Sequence, residues 1–255
     1  MHQNSKKNIP QKVEKLNKKG IRLNKFLSNA GICSRREADQ FIAMGLVTVN
    51  GKAVTEMGFQ VQSDDQVRYD DQLVKGSPPV YILLNKPKGF VATKQGGNIK
   101  KSVQELIRTA HPEKVPPIGD MGRPVTGLLF LTNDEKLRKR LSQSQSKLEM
   151  IYHITLEKNI SVADFEKLRK GISLQNKLYT VKKIDYVIGK SKREIGVEVE
   201  HFSPAALNKL FEKIDHKVLL MDRVMYAGLT KKDLPRGRWR KLTEKEVQFL
   251  HVKSN

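Results

Sequence analysis

Few side chains in this chain are spaced for chemistry. Between Ile118 and Gly127 the sequence runs Gly119-Asp120-Met121-Gly122-Arg123-Pro124-Val125-Thr126, an irregular Gly- and Pro-containing loop that offers one carboxylate, Asp120, and one cation, Arg123. A carboxylate held in a loop can act as a nucleophile or a proton carrier, and it can equally be bonded to backbone or solvent. Tyr152 opens the alternating stretch Tyr152-His-Ile-Thr-Leu156, which reads as a strand. His153 and His216 stand without partners in the sequence and read as structural. Cys33 is the single cysteine, so no internal disulfide forms, a reducing cytosol fits, and a structural zinc site lacks its ligands.

Basic side chains give the strongest compositional signal. The chain of 255 residues carries 48 Lys and Arg against 27 Asp and Glu, a net charge of +21, with a pI near 10.0. A field of that size favours a polyanion, nucleic acid above all. Residues 1–36 hold ten Lys or Arg and one acid, Glu14. Arg35 and Arg36 follow Ser34 in Ser34-Arg-Arg-Glu37, a capping box that opens a helix, where the dipole already favours an anion. Arg138, Lys139 and Arg140 form one basic helix face. Trp239, within Arg236-Gly-Arg-Trp-Arg-Lys241, reads as a packing residue. No apolar run reaches the ~18 residues of a membrane span, and the N-terminus lacks a signal peptide's apolar stretch, so a cytoplasmic protein is expected.

The elements that must position these groups fall into two sets. Residues 1–20 read as a mobile basic arm. From Ile21, Leu23, Phe26 and Leu27 share one face of a short helix; Ala38, Phe41 and Ile42 give the face of a second. Leu46–Val54 turns at Asn50-Gly51, a type I′ hairpin signal, and Gln66–Tyr69 is another strand. Gly76-Ser-Pro-Pro79 is a linker between a small domain, residues 21–75, and a larger one, residues 80–250. In the latter, strands are expected at Val80–Leu84, Phe90–Thr93, Leu128–Leu131, Tyr152–Leu156, Val181–Ile188, Ile195–Val199 and Val218–Val224. Helices are expected at Ser102–Arg108, Glu135–Leu141, Val162–Lys170 and Ala205–Ile214. Strands interleaved with few helices indicate a mixed, largely antiparallel α+β domain.

The words RLNKFLSNAGICSRREADQFI and GLVTVNGKAV resemble the S4 RNA-binding domain, an αL-type fold whose helix pair presents basic side chains to structured RNA. The resemblance makes Arg22, Lys25, Arg35, Arg36 and Lys52 the expected phosphate contacts. Four later pieces, YILLNKPKGFVAT, GDMGRPVTGLLFLTND, IYHITLEK and DRVMYAGLTKKDLPRGRWRKLTEKEV, resemble the RsuA/RluB/RluF-type rRNA pseudouridine synthases. Together the likenesses span roughly residues 21–250. They imply an isomerase fold acting on a uridine drawn out of the RNA stack, without metal or cofactor. Lys86, Lys88 and Arg123 would then lie along the RNA channel.

The site residues that the resemblance implies are altered here. The family's loop reads Gly-Arg-Leu-Asp, then two or three residues, then Gly-Leu-Leu. Aligned on Gly119 and Gly127-Leu128-Leu129, its catalytic Asp falls on Gly122, and the preceding Arg on Asp120. A later Gly-Arg-Asn-Arg-Gln-type segment supplies the carboxylate's basic partner; aligned on Leu210-Phe-Glu212, that partner falls on Ala205 and a further arginine pair on Asn208-Lys209. Tyr152 stays in register with the tyrosine that lies against the flipped base, and the lysine two residues before it is Met150. A buried charge without its partner is costly, so joint loss of both members leaves no stranded charge. Asp120 offers one substitute, but two extended residues displace a carboxylate by roughly 6–7 Å. Catalytic groups are held to about 0.5 Å, and errors near 1 Å cost about 100-fold. The expected protein is a monomeric rRNA-binding pseudoenzyme, with ribosomal RNA or a ribosomal subunit precursor as partner and a role in ribosome biogenesis. The alternative is an active rRNA pseudouridine synthase working through Asp120 and Tyr152.

Overall fold

The computed structural model describes residues 20–62, 64–76, 78–93, 100–111, 114–143, 148–200 and 202–253. The expected basic arm, through residue 19, and Ser77 of the expected linker lie outside them. The chain divides into two compact units, Met1–Pro78 and Pro79–Asn255. Among the described residues no helix is long and apolar enough to cross a membrane.

The first unit contains β1 (Ile21–Arg22), α1 (Leu23–Asn29), α2 (Arg35–Ala43), β2 (Val47–Val49), β3 (Lys52–Ala53), β4 (Gln60–Val61), β5 (Val67–Tyr69) and β6 (Gln72–Leu73). The Ser34 hydroxyl accepts from the Glu37 N–H at 3.3 Å, and the Glu37 carboxylate accepts from the Ser34 N–H at 2.7 Å, so the capping box forms. Leu23, Leu27, Ala38 and Ile42 bury the facing stripes of the two helices against Val47, Val49 and Val67 of the sheet β3-β2-β5-β6. Asn50 and Gly51 adopt φ +51 and +75, the paired left-handed residues of a type I′ turn. A second hairpin, β5–β6, turns at Asp70-Asp71 with φ +48 and +57, without glycine.

The second unit follows in chain order. It contains β7 (Tyr81–Lys86), α3 (Val103–Leu106), β8 (Thr126–Thr132), α4 (Glu135–Ser142), β9 (Glu149–Leu156) and α5 (Val162–Lys170). Next come β10 (Ile172–Leu174), β11 (Lys177–Tyr179), β12 (Lys183–Tyr186), β13 (Glu194–Glu200) and α6 (Pro204–Glu212). β14 (Val218–Tyr226), β15 (Leu229–Thr230), β16 (Trp239–Lys241) and α7 (Glu244–Lys253) complete it. One sheet runs β12-β13-β9-β14-β8-β7-β16, with β15 on β14. Its pairings are antiparallel except for β8 beside β14, so the α+β expectation holds. Phe90–Thr93 forms isolated bridges to Ser102 and Met121 instead of the expected strand. Leu128–Leu131 are fully buried, each contributing about 1.5–3 kcal/mol relative to exposure.

The parallel pairing depends on Gly127. It has φ +99, and a Cβ there would lie 2.2 Å from the Arg223 carbonyl oxygen and 2.6 Å from the Arg223 nitrogen. Only a residue without a side chain lets β14 approach β8 this closely. Gly127→Ala is expected to destabilise the protein by roughly 3 kcal/mol or more, read as a lower urea midpoint. An unchanged midpoint would mean the two strands separate freely.

Candidate functional site

In the first unit, Arg35 and Arg36 are exposed in the first turn of α2, beyond the Ser34 cap. Arg22 is exposed at the start of α1, Lys25 is half-buried one turn later, and Lys52 is exposed in β3. No acid occupies the first turn of α1, and Glu37, the acid in that of α2, is held by the cap. Bonds from Ser34 also keep the Glu37 carboxyl below its ordinary pKa.

In the second unit the loop 119–125 meets the N-terminus of α6. Ser203 caps α6, its hydroxyl accepting from the Ala206 N–H at 3.1 Å, and Pro204 takes the first helical position, where a missing N–H costs nothing. Gly122 and Ala205 are both exposed and line one cavity of about 480 Å³, together with Asp120, Pro204, Asn208 and Leu219. Asn208 donates to the Glu212 carboxylate at 2.5 Å. The two positions that the resemblance pairs are therefore brought to one cavity, and neither bears a functional group. Gly122 is absent from the left-handed glycines, and a Cβ there would meet only the Pro124 Cδ, at 3.6 Å. The position can accept a side chain.

Asp120 is exposed and also lines a smaller cavity of about 180 Å³, with Ser203, Phe202, Tyr226 and Arg223. Arg223 carries no sequence-based expectation, yet it is 4% exposed. Its Nε donates to the Leu128 carbonyl at 2.6 Å, Nη1 to the Tyr152 hydroxyl at 3.4 Å, and Nη2 has no partner among the described residues. The guanidinium stacks over the Tyr226 ring at 4.8 Å and forms no ion pair among the described residues. Burial pushes the Tyr226 hydroxyl up to about 12. A buried cation is thus present after all, held by carbonyl, hydroxyl and ring with Nη2 left unbonded among the described residues. An arginine inside the apolar run Val218–Tyr226 was the available signal.

Three expected site residues are placed differently. Tyr152 is fully buried, bonded to Arg223 and to the Met150 sulfur at 3.6 Å, and lines neither cavity, so its ring is not open to a base. Lys86, expected as an RNA contact, is fully buried; its ammonium donates to the carbonyls of Phe90 at 2.6 Å and Pro87 at 3.3 Å. It closes the Pro87–Phe90 turn from within. Arg123 is exposed but donates to the carbonyls of Gly89 at 2.8 Å and Lys100 at 3.0 Å, which ties its loop to the turn carrying exposed Lys88. The cation nearest Asp120 in sequence is therefore engaged elsewhere.

The register places Lys86, Gly127, Arg223 and Tyr152 in one row across β7, β8, β14 and β9. Beside this row, burial alone would raise the Asp222 pKa, but bonds from Arg236 at 2.6 Å, Lys231 and Thr126 hold it at about 2. Burial first, and then the charges of Arg236, Arg123 and Arg223, lower Lys86 to about 8. The folded protein therefore binds this proton less tightly than the unfolded chain, where lysine titrates near ~10.4. The sign follows: Lys86 contributes stability that rises with pH from about 8 towards 10. Wild type should gain on Lys86→Met when urea midpoints are compared at about pH 7 and about pH 9.5. Parallel shifts in the two proteins would contradict a depressed Lys86.

Residues 21–67 match the S4 domain family, and residues 80–222 match the RNA pseudouridylate synthase family. The chain is 32% identical over 235 residues to the ribosomal large subunit pseudouridine synthase B of Bacillus subtilis (strain 168), covering 91% of this chain and 96% of that protein. It is 31% identical over 230 residues to the dual-specificity RNA pseudouridine synthase RluF of Escherichia coli (strain K12), covering 89% and 77% respectively. A crystal structure of a pseudouridylate synthase shares the fold, with a TM-score of 0.63 at 22% identity, covering 91% of this chain and all of that one. With an S4 domain ahead of its synthase domain, the chain belongs to the RNA pseudouridylate synthase family.

Proposed function

We propose that this protein binds ribosomal RNA or a ribosome-assembly particle, as a cytoplasmic monomer, and does not isomerise uridine. The observation that carries this reading is that Gly122 and Ala205, where the family's carboxylate and its basic partner would stand, line one cavity. Catalysis at C1′ needs a group that attacks or stabilises charge, and neither side chain can. The likeness to a ribosomal large subunit pseudouridine synthase supports rRNA as the partner. Arg22, Lys25, Arg35, Arg36 and Lys52 bind phosphates, with Lys88 and Arg123 contributing from the second unit; Lys86 is withdrawn from that set.

One observation favours a second reading. Asp120 lines both cavities and shares the smaller with buried Arg223, so a displaced carboxylate has a cation lining the same cavity. Crosslinking in cells, followed by RNA sequencing and a pseudouridine map of a deletion strain, separates the two. Crosslinks to rRNA with every pseudouridine retained in the deletion strain are expected. A pseudouridine lost on deletion and restored by wild type but not by Asp120→Ala would establish the second reading.

A further inference from the structure

One end of the large sheet carries side chains that neither the fold nor the cavities use. β12 and β13 are joined by a tight turn, in which the Lys190 N–H bonds the Val187 carbonyl at 3.1 Å and the Val187 N–H bonds the Glu194 carbonyl at 3.0 Å. Gly189, φ +75, takes the third place of the turn Val187–Lys190, the place that requires left-handed backbone in a type II turn. The turn explains Gly189 and puts no demand on Ile188. Yet Ile188 is 99% exposed, more than any other large hydrophobic residue described.

Cations surround it. Lys190, Lys192 and Arg193 are exposed in the same connection. The Leu156 N–H bonds the Arg193 carbonyl at 2.9 Å, and the Ile160 N–H bonds the Lys192 carbonyl at 3.3 Å. Those bonds bring the β9–α5 turn, with exposed Lys158, to the same end. The Glu157 N–H bonds the Lys217 carbonyl at 2.9 Å, which adds the start of β14. Of the acids here, Glu157 pairs with Lys217 at 3.0 Å and Asp185 with Lys183 at 3.4 Å, while Glu194 is hydrogen-bonded to the His153 ring at 3.2 Å. Lys158, Lys190, Lys192 and Arg193 have no ion pair among the described residues. From Lys217 the surface continues through Val218 and exposed Leu219 into the cavity lined by Gly122 and Ala205.

We propose that this end of the sheet is a second RNA-binding surface. The four free cations neutralise phosphates of a stem, and Ile188 lies in its minor groove. Four unmatched cations fit a polyanion, and a protein-docking patch would be expected to carry several apolar side chains rather than a single knob. The minor groove of an RNA helix is wide and shallow enough to receive such a knob, as proteins that bind the DNA minor groove insert apolar side chains there. The inference rests on the RNA-binding reading of the chain.

The test titrates the full-length protein on unmodified, in vitro transcribed rRNA across a salt series. Lys190→Glu with Lys192→Glu and Arg193→Glu should weaken binding by about tenfold or more and flatten the log–log salt slope by about 2–3, at ~0.7–0.9 per lost contact. Ile188→Ser should weaken binding by about threefold to fivefold with the slope unchanged, the scale set by partial burial of one aliphatic side chain. A duplex stem should compete better than a single strand of equal length. Wild-type affinity and slope in both variants would overturn the surface while leaving RNA binding intact. A loss confined to the charge-reversal variant, equal for heparin and for rRNA, would overturn the groove contact. No binding of rRNA by wild type at any salt would overturn the underlying reading as well.

Discussion

Arg35→Glu with Arg36→Glu is expected to weaken rRNA binding by well over tenfold at physiological salt while leaving thermal unfolding unchanged. Both side chains are exposed in the first turn of α2, and no hydrogen bond or ion pair holds them among the described residues. Their replacement does not touch the Ser34–Glu37 capping box, and glutamates in a first helical turn complement the helix dipole. The stability of the S4 unit should therefore stay level, and any loss of binding reports on RNA contact. Should this unit contact about five phosphates, its share of the log–log salt slope is about −3.5 to −4.5, and the double reversal should remove about two contacts' worth of it. Unchanged affinity in a filter-binding titration would place the RNA surface elsewhere.

Gly122→Asp is expected to fold with wild-type stability and to make no pseudouridine. The backbone at position 122 lies outside the left-handed region, and the nearest heavy atom to a new Cβ, the Pro124 Cδ, is in ordinary contact. A strain penalty, which a left-handed glycine would have imposed, does not arise. The obstacle is chemical. The restored carboxylate enters a cavity where Ala205 supplies no charge and Asn208 only an amide already bonded to Glu212. Ala205→Arg alone lacks the carboxylate and should be equally inactive. The pair restores the minimal ion pair, and adding Asp120→Arg rebuilds the loop's original charge pattern. The triple variant is the member of this series expected to show trace product by mass spectrometry of digested rRNA. Robust activity in Gly122→Asp alone would mean that another cation, with Arg223 the buried one nearby, already completes the site.

Several features were legible in the residues and several were not. The Asn50-Gly51 hairpin was, because left-handed backbone at both turn positions selects for that pair. The hairpins at Asp70-Asp71 and at Gln175-Asn176, φ +49 and +62, were not, because their left-handed residues carry side chains and no glycine marks them. Gly127 read as part of a family signature, and its reason appears only in three dimensions, where the Arg223 backbone fills the space of a Cβ. The burial of Lys86 is not legible because lysine rarely goes inside; here two turn carbonyls replace water around its ammonium. Tyr152 sits in register with the family tyrosine, but register along a strand does not say whether a ring faces a cavity or the core. The juxtaposition of Gly122 and Ala205 could be foreseen only through the resemblance, since 82 residues of chain separate them.

The most direct test is pseudouridine formation by the purified wild-type protein, on in vitro transcribed rRNA and on ribosomal subunits, with Asp120→Ala alongside. No product above background on either substrate is expected, and Asp120→Ala should be indistinguishable from wild type. Conversion of a defined uridine by wild type, abolished in Asp120→Ala, would show that a displaced carboxylate works in this site and that the protein is an enzyme.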